Sequence, residues 1–230
     1  MSRFFDVLFS GLALLLLSPF LVPIVILLKV TGEGEVFYVQ ERVGRYGKSF
    51  GLLKFATMLK NSPSMGSGTV TVKNDPRILP MGQFLRKTKL NELPQLLNIF
   101  LGDMSIVGPR PLVKKGYEAY SDAVRNSIST VRPGLSGIGS IIFRDEEALL
   151  DGRADPVQFH LNVIGHYKGT LEQWYVSNNG VSVYFMVIFV TAWVVIFPRS
   201  NIAWRVFSGL PKPEGELSCL LAEKSAPKQK

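Results

Sequence analysis

Residues 85–112, LRKTKLNELPQLLNIFLGDMSIVGPRPL, decide how the rest of the chain is read. Pro94 has no N–H, and its ring clashes with the carbonyl four residues back. A helix here is therefore expected to start near Asn91 and to carry Pro94 in its first turn. Leu93, Leu96, Leu97 and Phe100 then follow the i, i+3, i+4, i+7 rule and predict an apolar stripe. Asn91 and Glu92 fall at the helix N-terminus, where free N–H groups and the positive end of the dipole favour an anion. Arg86, Lys87 and Lys89 stand just upstream, and Arg110 is held between Pro109 and Pro111. A phosphate-bearing substrate fits this arrangement. Composition alone favours a plainer reading, since Asn is an ordinary helix cap and Glu in a first turn simply answers the dipole.

The 230 residues suffice for one domain with a real core. A net charge of +8 and a pI near 9.6 point to an anionic partner, either phosphate groups or an acidic lipid surface. Nucleic acid is not expected, because no zinc-finger spacing, basic zipper or aromatic RNA-binding signature is present and the charge is spread along the chain. Cys219 is the only cysteine, so no internal disulfide forms, which fits a reducing compartment. His160 and His166 have no partners at metal-ligand spacing, and no reactive Ser or Cys motif accompanies them.

Val7 to Leu28 is a run of 22 residues without a charge, bounded by Asp6 and Lys29 and long enough to span a bilayer. Three readings compete: a signal peptide, a spanning helix, and a helix that enters the bilayer and returns. The first is weak, because no small-x-small cleavage site follows the apolar core. Ser18-Pro19, with Pro23 after it, removes backbone hydrogen bonds near the centre of the run, where lipid offers no replacement. Arg3 and Lys29 both prefer the cytoplasmic side, so a re-entrant helix bent at Ser18 and Pro19 satisfies both ends. Val181 to Phe197 is also apolar, but it reaches only about 25 Å as a helix, short for a crossing.

Between these runs, Val36 to Thr57 alternates β-branched and aromatic residues around Gly44 and Gly47 and reads as a hairpin. Asn61 to Lys73 is rich in Ser, Gly and Pro and reads as a loop. Pro80 leads into a short helix around Met81 to Arg86. A polar helix is expected from Val113 to about Thr130, and the tail from Pro211 is expected to be disordered. The fold class is α+β, mainly helical with a small β-hairpin or sheet, an N-terminal re-entrant membrane helix and membrane-surface helices. The expected divisions are 1–30 membrane helix, 31–210 catalytic domain and 211–230 tail.

Glu92–Leu96, ELPQL, and Gly102–Pro111, GDMSIVGPRP, resemble the signature of bacterial sugar transferases of the small monotopic phosphoglycosyl transferase type. That signature runs R-[KR]-x-[ST]-x-D-E-L-P-Q-L and then G-D-M-S-x-V-G-P-R-P. Arg3 and Asp6 resemble the family's R-x-x-D. Gln40, Arg42 and Gly44 resemble Q-x-R-x-G. Lys54, Phe55, Thr57 and Met58 resemble K-F-[RK]-T-M, with Ala56 where a cation is usual. Asp75-Pro76-Arg77 resembles D-P-R, and Arg132 to Gly137 resembles R-P-G-[IL]-[ST]-G. Gly139 to Arg144 keeps only the arginine of A-Q-V-N-G-R, and LEQWYVSN, Leu171 to Asn178, resembles L-D-x-Y-V-x-N.

The resemblance implies transfer of a sugar 1-phosphate from a UDP-sugar to polyprenol (undecaprenyl) phosphate with release of UMP. This would be the first membrane step of exopolysaccharide, capsule or O-antigen synthesis. The implied place is the bacterial inner (cytoplasmic) membrane, with the catalytic part on its cytoplasmic face. Membrane lipids, downstream glycosyltransferases and a homo-oligomer are the implied partners. Cleaving a diphosphate requires cations and a metal ion. Arg86, Arg110, Arg132, Arg144 and Lys54 are the candidate phosphate ligands, and Pro109, Arg110 and Pro111 the candidate nucleotide contacts. Mg²⁺ suits an oxygen-lined site, with Glu92 and Asp103 as its available acids.

Asn91 and Glu92 are the candidate catalytic pair, and here the sequence departs from the pattern. The family's acidic pair reads Asn91-Glu92, and the Asp it replaces is the family's nucleophile. An amide keeps a helix cap but is a poor nucleophile. Three routes stay open: Glu92 as nucleophile, Glu92 as base for direct attack by the lipid phosphate, or a catalytically silent protein. The last would bind nucleotide sugar or lipid as the partner of another glycosyltransferase.

Overall fold

The apolar N-terminal run folds as α1 (Ser2–Val30). Among the described residues it is the one helix long and apolar enough to cross or dip into a membrane, and only 6% of its most apolar window is buried. The helix continues through Pro19 and Pro23. Pro19 has no N–H to offer the carbonyl of Leu15, and the Ser18 hydroxyl donates to that carbonyl at 2.8 Å. A serine directly before the proline thus supplies the hydrogen bond that the proline removes, and in lipid nothing else would. The computed structural model describes residues 2–65, 75–144, 146–198 and 200–225.

The chain divides into two compact units. The first comprises Arg3–Arg42 and Ser49–Met104; the second comprises Met1–Ser2, Val43–Lys48 and Ser105–Lys230. In the first, the expected hairpin is present as β1 (Phe37–Val43) and β2 (Ser49–Phe55). The expected short helix is α2 (Pro80–Lys87), with Pro80 in its first turn, where a missing N–H costs nothing. Leu28, Phe55 and Leu85 form the core, with Leu21, Ile24, Val25, Met81 and Leu90 packed against it. The C-terminal half of α1 therefore docks on β2 and α2. At its other end, Arg3 donates to the carbonyls of Ile99 and Phe100 at 2.5 and 2.7 Å. Between these anchors Leu12, Leu15, Leu16 and Phe20 are exposed.

The helix expected to start near Asn91 begins later. Leu90–Glu92 is a single 3-10 turn, and α3 spans Gln95–Leu101 with Pro94 just before it. The apolar stripe is also displaced: Leu97 and Phe100 are exposed, while Gln95, Leu96, Asn98 and Ile99 are buried. Asn98 explains the shift. Its side chain accepts from the N–H of Leu53 and donates to the carbonyl of Gly51, at 3.0 and 2.8 Å. It replaces a strand partner for β2, so the polar face turns inward. Of the expected loop, Ser62–Ser64 forms a 3-10 turn, and residues 66–74 lie outside the described residues. Asp75 and Arg77 pair while almost fully buried, and Arg77 also donates to the carbonyls of Ser62 and Met65 at 2.8 Å. That side chain fixes the base of the loop.

The second unit is built around a parallel pair, β3 (Ser105–Val107) and β4 (Gly134–Ser136), in the register Ser105 to Gly134 and Val107 to Ser136. The polar helix expected between them is two, α4 (Lys114–Glu118) and α5 (Asp122–Ile128); the Ser121 side chain caps the second. After β4 come α6 (Ile138–Ile142), α7 (Glu146–Leu150), α8 (Pro156–Phe159), α9 (Gly165–Ser177) and α10 (Val181–Ile196). Then follow α11 (Ile202–Val206) and α12 (Gly215–Ser225). α10 buries Tyr184, Val187, Val190 and Val194 and exposes Phe185, Phe189 and Trp193. The tail expected to be disordered contains α12, whose Leu217 is buried; residues 226–230 lie outside the described residues.

Three glycines let the chain cross itself beside β3 and β4. A Cβ on Gly108 would lie 2.4 Å from the Arg132 carbonyl oxygen, one on Gly134 2.1 Å from the Gly108 nitrogen, and one on Gly137 2.2 Å from the Gly108 carbonyl oxygen. Backbone cannot yield as a flexible side chain does. Gly134→Ala is therefore expected to destabilise the protein by about 3 kcal/mol or more, seen as a lower urea midpoint in detergent.

Candidate active site

In the first unit, β2 and α2 both pack against the Leu90–Glu92 turn, which brings the candidate catalytic pair beside the elements that carry Lys54 and Arg86. Lys89, with φ of 61°, closes α2 in the left-handed conformation and turns the chain into that 3-10 segment. Asn91 is buried, and its Oδ1 has no hydrogen-bond partner. Glu92 beside it is half-buried, as are Lys54 and Arg86. Arg86 approaches the Thr57 hydroxyl at 3.5 Å. An unpaired buried amide oxygen costs about 1–3 kcal/mol, and its position beside a carboxylate gives two hard oxygen donors on adjacent residues. Those donors fit Mg²⁺.

Asp103 does not join them. It follows the C-terminal end of α3. It is exposed there, and its Oδ2 accepts from the Asn98 amide at 3.2 Å. Among the described residues no three His, Cys, Asp or Glu side chains gather as a ready-made metal cage. The helix N-terminal anion site is corrected. Asn91 and Glu92 lie in the 3-10 turn before α3, and Pro94 occupies the cap.

The second unit holds Arg110, Arg132 and Arg144. Pro109 and Pro111 are buried while Arg110 between them is exposed. The turn is held by hydrogen bonds from the Gly134 N–H to the Pro109 carbonyl at 2.8 Å and from the Gly108 N–H to the Ser136 carbonyl at 2.9 Å. Arg132 and Arg144 are half-buried. A shallow cleft opens beside Arg110, walled by Val43, Pro109, Leu112, Tyr117, Ile128 and Pro133. Pro111 is not part of its lining. Val43, Tyr46 and Arg45 are tied to Leu112, Ser129 and Thr130 at 2.8, 2.8 and 2.9 Å, so the cleft has fixed walls.

Sequence reasoning missed a cluster of charges behind that turn. Glu172 on α9 is buried, Lys168 one turn earlier bonds Glu146 Oε2 at 2.6 Å, and His160 Nε2 lies 2.9 Å from Glu146 Oε1. The i, i+4 spacing of Lys168 and Glu172 was the available signal, but on a helix it ordinarily marks a solvated pair. Burial raises Glu146, but its bonds to His160 and Lys168 outweigh that and hold it at about 2. Burial lowers Lys168 against the pull of Glu146. Burial also pushes Glu172 up to about 7, opposed by the Arg110 and Gly139 backbone and by the charges of Lys168 and Arg110. Tyr120 is raised, first by burial and then by the two carboxylates.

The family model described as bacterial sugar transferase matches residues 1–198. The chain belongs to the bacterial sugar transferase family. It is 41% identical over 159 residues to the exopolysaccharide production protein ExoY of Rhizobium meliloti, covering 63% of this chain and 70% of that protein. It is 35% identical over 211 residues to the undecaprenyl-phosphate galactose phosphotransferase of Salmonella typhimurium, covering 85% of this chain and 40% of that protein. The UDP-glucose:undecaprenyl-phosphate glucose-1-phosphate transferase of Escherichia coli is 35% identical over 173 residues, 73% of this chain and 37% of its own length. The chain thus spans most of one relative and less than half of the two longer ones.

The Glu146 pairs give a pH signature. Its folded value lies below the ordinary 4.5, so the stabilisation is complete above about 4.5 and is lost as pH falls towards 2. Glu146→Gln is expected to lower the urea midpoint at pH 7, and the gap to the unsubstituted protein should close on acidification through that window.

Proposed function

We propose that this sugar transferase moves a sugar 1-phosphate from a UDP-sugar to a polyprenol phosphate and releases UMP. The names of the relatives support this, and the observation that carries it to this chain is the Asn91-Glu92 turn, with its orphaned buried oxygen. In the reaction an oxygen nucleophile attacks the β-phosphorus, the α–β phosphoanhydride bond breaks, and the electron pair leaves on UMP. The nucleophile is either the Glu92 carboxylate, whose phosphosugar adduct the lipid phosphate then takes, or the lipid phosphate itself. Lys54 and Arg86 offset charge at the transferring phosphoryl group, and Asn91 Oδ1 with Glu92 would hold Mg²⁺. When bound, that ion neutralises phosphate charge. In the second unit Arg110, Arg132 and Arg144 are the candidate ligands for phosphate oxygens.

The setting we propose is the cytoplasmic face of the bacterial inner membrane, with α1 entering the bilayer and returning to that face. The support is that one unit grips both ends of α1: Arg3 on α3, and Leu21 to Leu28 on β2 and α2. A crossing helix would put those ends on opposite sides. In a Cys219→Ser background, single cysteines at Ser2 and Gly32 should both react with an impermeant maleimide only in inside-out vesicles. Labelling of one of them from the periplasmic side would establish a crossing helix instead.

Asn91 also supports a second reading, a silent nucleotide-sugar or lipid-binding partner of another glycosyltransferase. Purified protein given Mg²⁺, undecaprenyl phosphate and a panel of UDP-sugars is expected to release UMP with at least one sugar. Glu92→Gln should lower that rate by about 10²-fold or more, on the scale of losing one catalytic group. Release seen only after Asn91→Asp would assign the silent role, and full turnover by Glu92→Gln would remove Glu92 from the chemistry.

A further inference from the structure

We infer that residues 202–225, beyond the 198 that the family model matches, form a strap that clamps the arm made by α7 and α8 onto α9. The clamp stands on geometry within the second unit. Its bearing on substrate rests on the proposed function, because the arm grows out of Phe143 and Arg144, and Arg144 is there a phosphate ligand. The strap runs along one face of α9. Phe207 packs edge-on against Trp174 with ring centres 5.7 Å apart, and Phe207 and Leu210 are buried. About two turns earlier on α9 the Tyr167 hydroxyl donates to the Pro211 carbonyl at 2.6 Å. Tyr167, Leu171 and Trp174 share that face by their i, i+4, i+7 spacing.

Beyond Pro211 and Pro213, α12 brings Glu216 onto Arg153 at the tip of the arm, and Leu217 beside it is buried. Arg153 also lies over the Phe159 ring of α8 at 4.0 Å, so one side chain joins the strap to both limbs of the arm. The tip is otherwise open to solvent: of residues 151–155 only Arg153 is not exposed, and a Cβ on Gly152 would meet nothing within 4 Å. The root is tied separately, by Glu146 to Lys168 at 2.6 Å. Between α8 and α9 the chain passes through a π turn, His160–Ile164, where the helical ladder changes register and bends readily. A tied root, a hinge and an exposed tip make an arm whose position is set by whatever holds the tip. The partly exposed pair of Arg153 and Glu216 is weak by itself, so the buried apolar side chains of the strap supply the hold.

The test is amide hydrogen exchange, read by mass spectrometry on the full chain in detergent. Leu217→Ala is expected to speed exchange across residues 149–160 by about tenfold or more, because loss of the anchor lets the arm open without global unfolding. Exchange in β3 and β4 should stay as it was. Tyr167→Phe keeps the ring and removes only the bond to Pro211. It should speed exchange in the same residues by about threefold, and it carries the test if Leu217→Ala does not fold. Unchanged exchange in the arm of a folded variant, or an equal rise in β3 and β4, would overturn the inference. UDP then reads the link to substrate in the unsubstituted protein. At about ten times its Kd it should slow exchange in the arm by about tenfold, since only the closed arm presents Arg144 to phosphate. An arm that loosens in the variants but gains no protection from UDP sinks the reading of Arg144 as a ligand and leaves the strap established.

Discussion

The second unit depends on a place where the backbone passes within hydrogen-bonding distance of itself with no room for a methyl group. Gly108 meets Gly134 and Gly137 there. Two motifs that lie apart in sequence, Gly108–Pro111 and Arg132–Gly137, are therefore two strands of one crossing, extended by the parallel pair β3 and β4. The glycines permit the approach, the prolines on either side of Arg110 stiffen it, and the Tyr175 hydroxyl adds a bond to the Val107 carbonyl at 3.1 Å. Rigid backbone in such a place is what a group that must hold a multiply charged phosphate requires. Loss of freedom on binding is then confined to the guanidinium stem.

The first unit reaches rigidity by another route. Asn98 takes both an N–H and a carbonyl from β2 with its side-chain amide, while its backbone carbonyl accepts from Gly102, Asp103 and Met104 at 3.0, 3.0 and 3.2 Å. One residue thus joins helix, strand and the following turn. This is also where sequence and structure part. Period-2 alternation correctly located the hairpin, and Pro80 correctly located α2, because both are local signals. Of the expected stripe Leu93, Leu96, Leu97 and Phe100, Leu96 is buried but Leu97 and Phe100 are exposed, because helical periodicity assumes that the apolar face is the buried one. In α3 the polar face is buried because it has a partner 45 residues away that no local pattern records. The exposed Leu97, Phe100 and Leu101 lie on a helix end gripped by Arg3 of α1, so apolar exposure on this unit extends beyond the membrane helix itself.

The candidate site was legible in the same uneven way. The candidate cations and the Asn91-Glu92 pair were visible in motif spacing. Their supports were not. Glu172 stands at the acidic position of the LEQWYVSN stretch, but Lys168 and Glu146 look in sequence like ordinary helix-surface charges, and only the fold reveals that the three gather. Asp103 shows the converse. Its place in a strongly matching motif invited a metal role, yet its side chain serves the turn after α3. A conserved-looking acid in a glycine turn is explained by backbone hydrogen bonding before it is explained by chemistry.

Asn91 is the residue where stability and chemistry pull in opposite directions. A carboxylate in its place would be buried beside Glu92, and two adjacent acids in a desolvated turn repel unless a cation or substrate lies between them. The amide removes that repulsion while keeping the shape, and its oxygen is still an acceptor without a protein partner. Had the position been given over to packing, the oxygen would have been satisfied by a neighbouring N–H or replaced by an apolar group, since the fold has no other reason to retain the cost. An orphaned oxygen that persists in a buried turn is best explained by a group that arrives from outside the chain. On the proposed reading that group is an electropositive ligand shared with the Glu92 carboxylate.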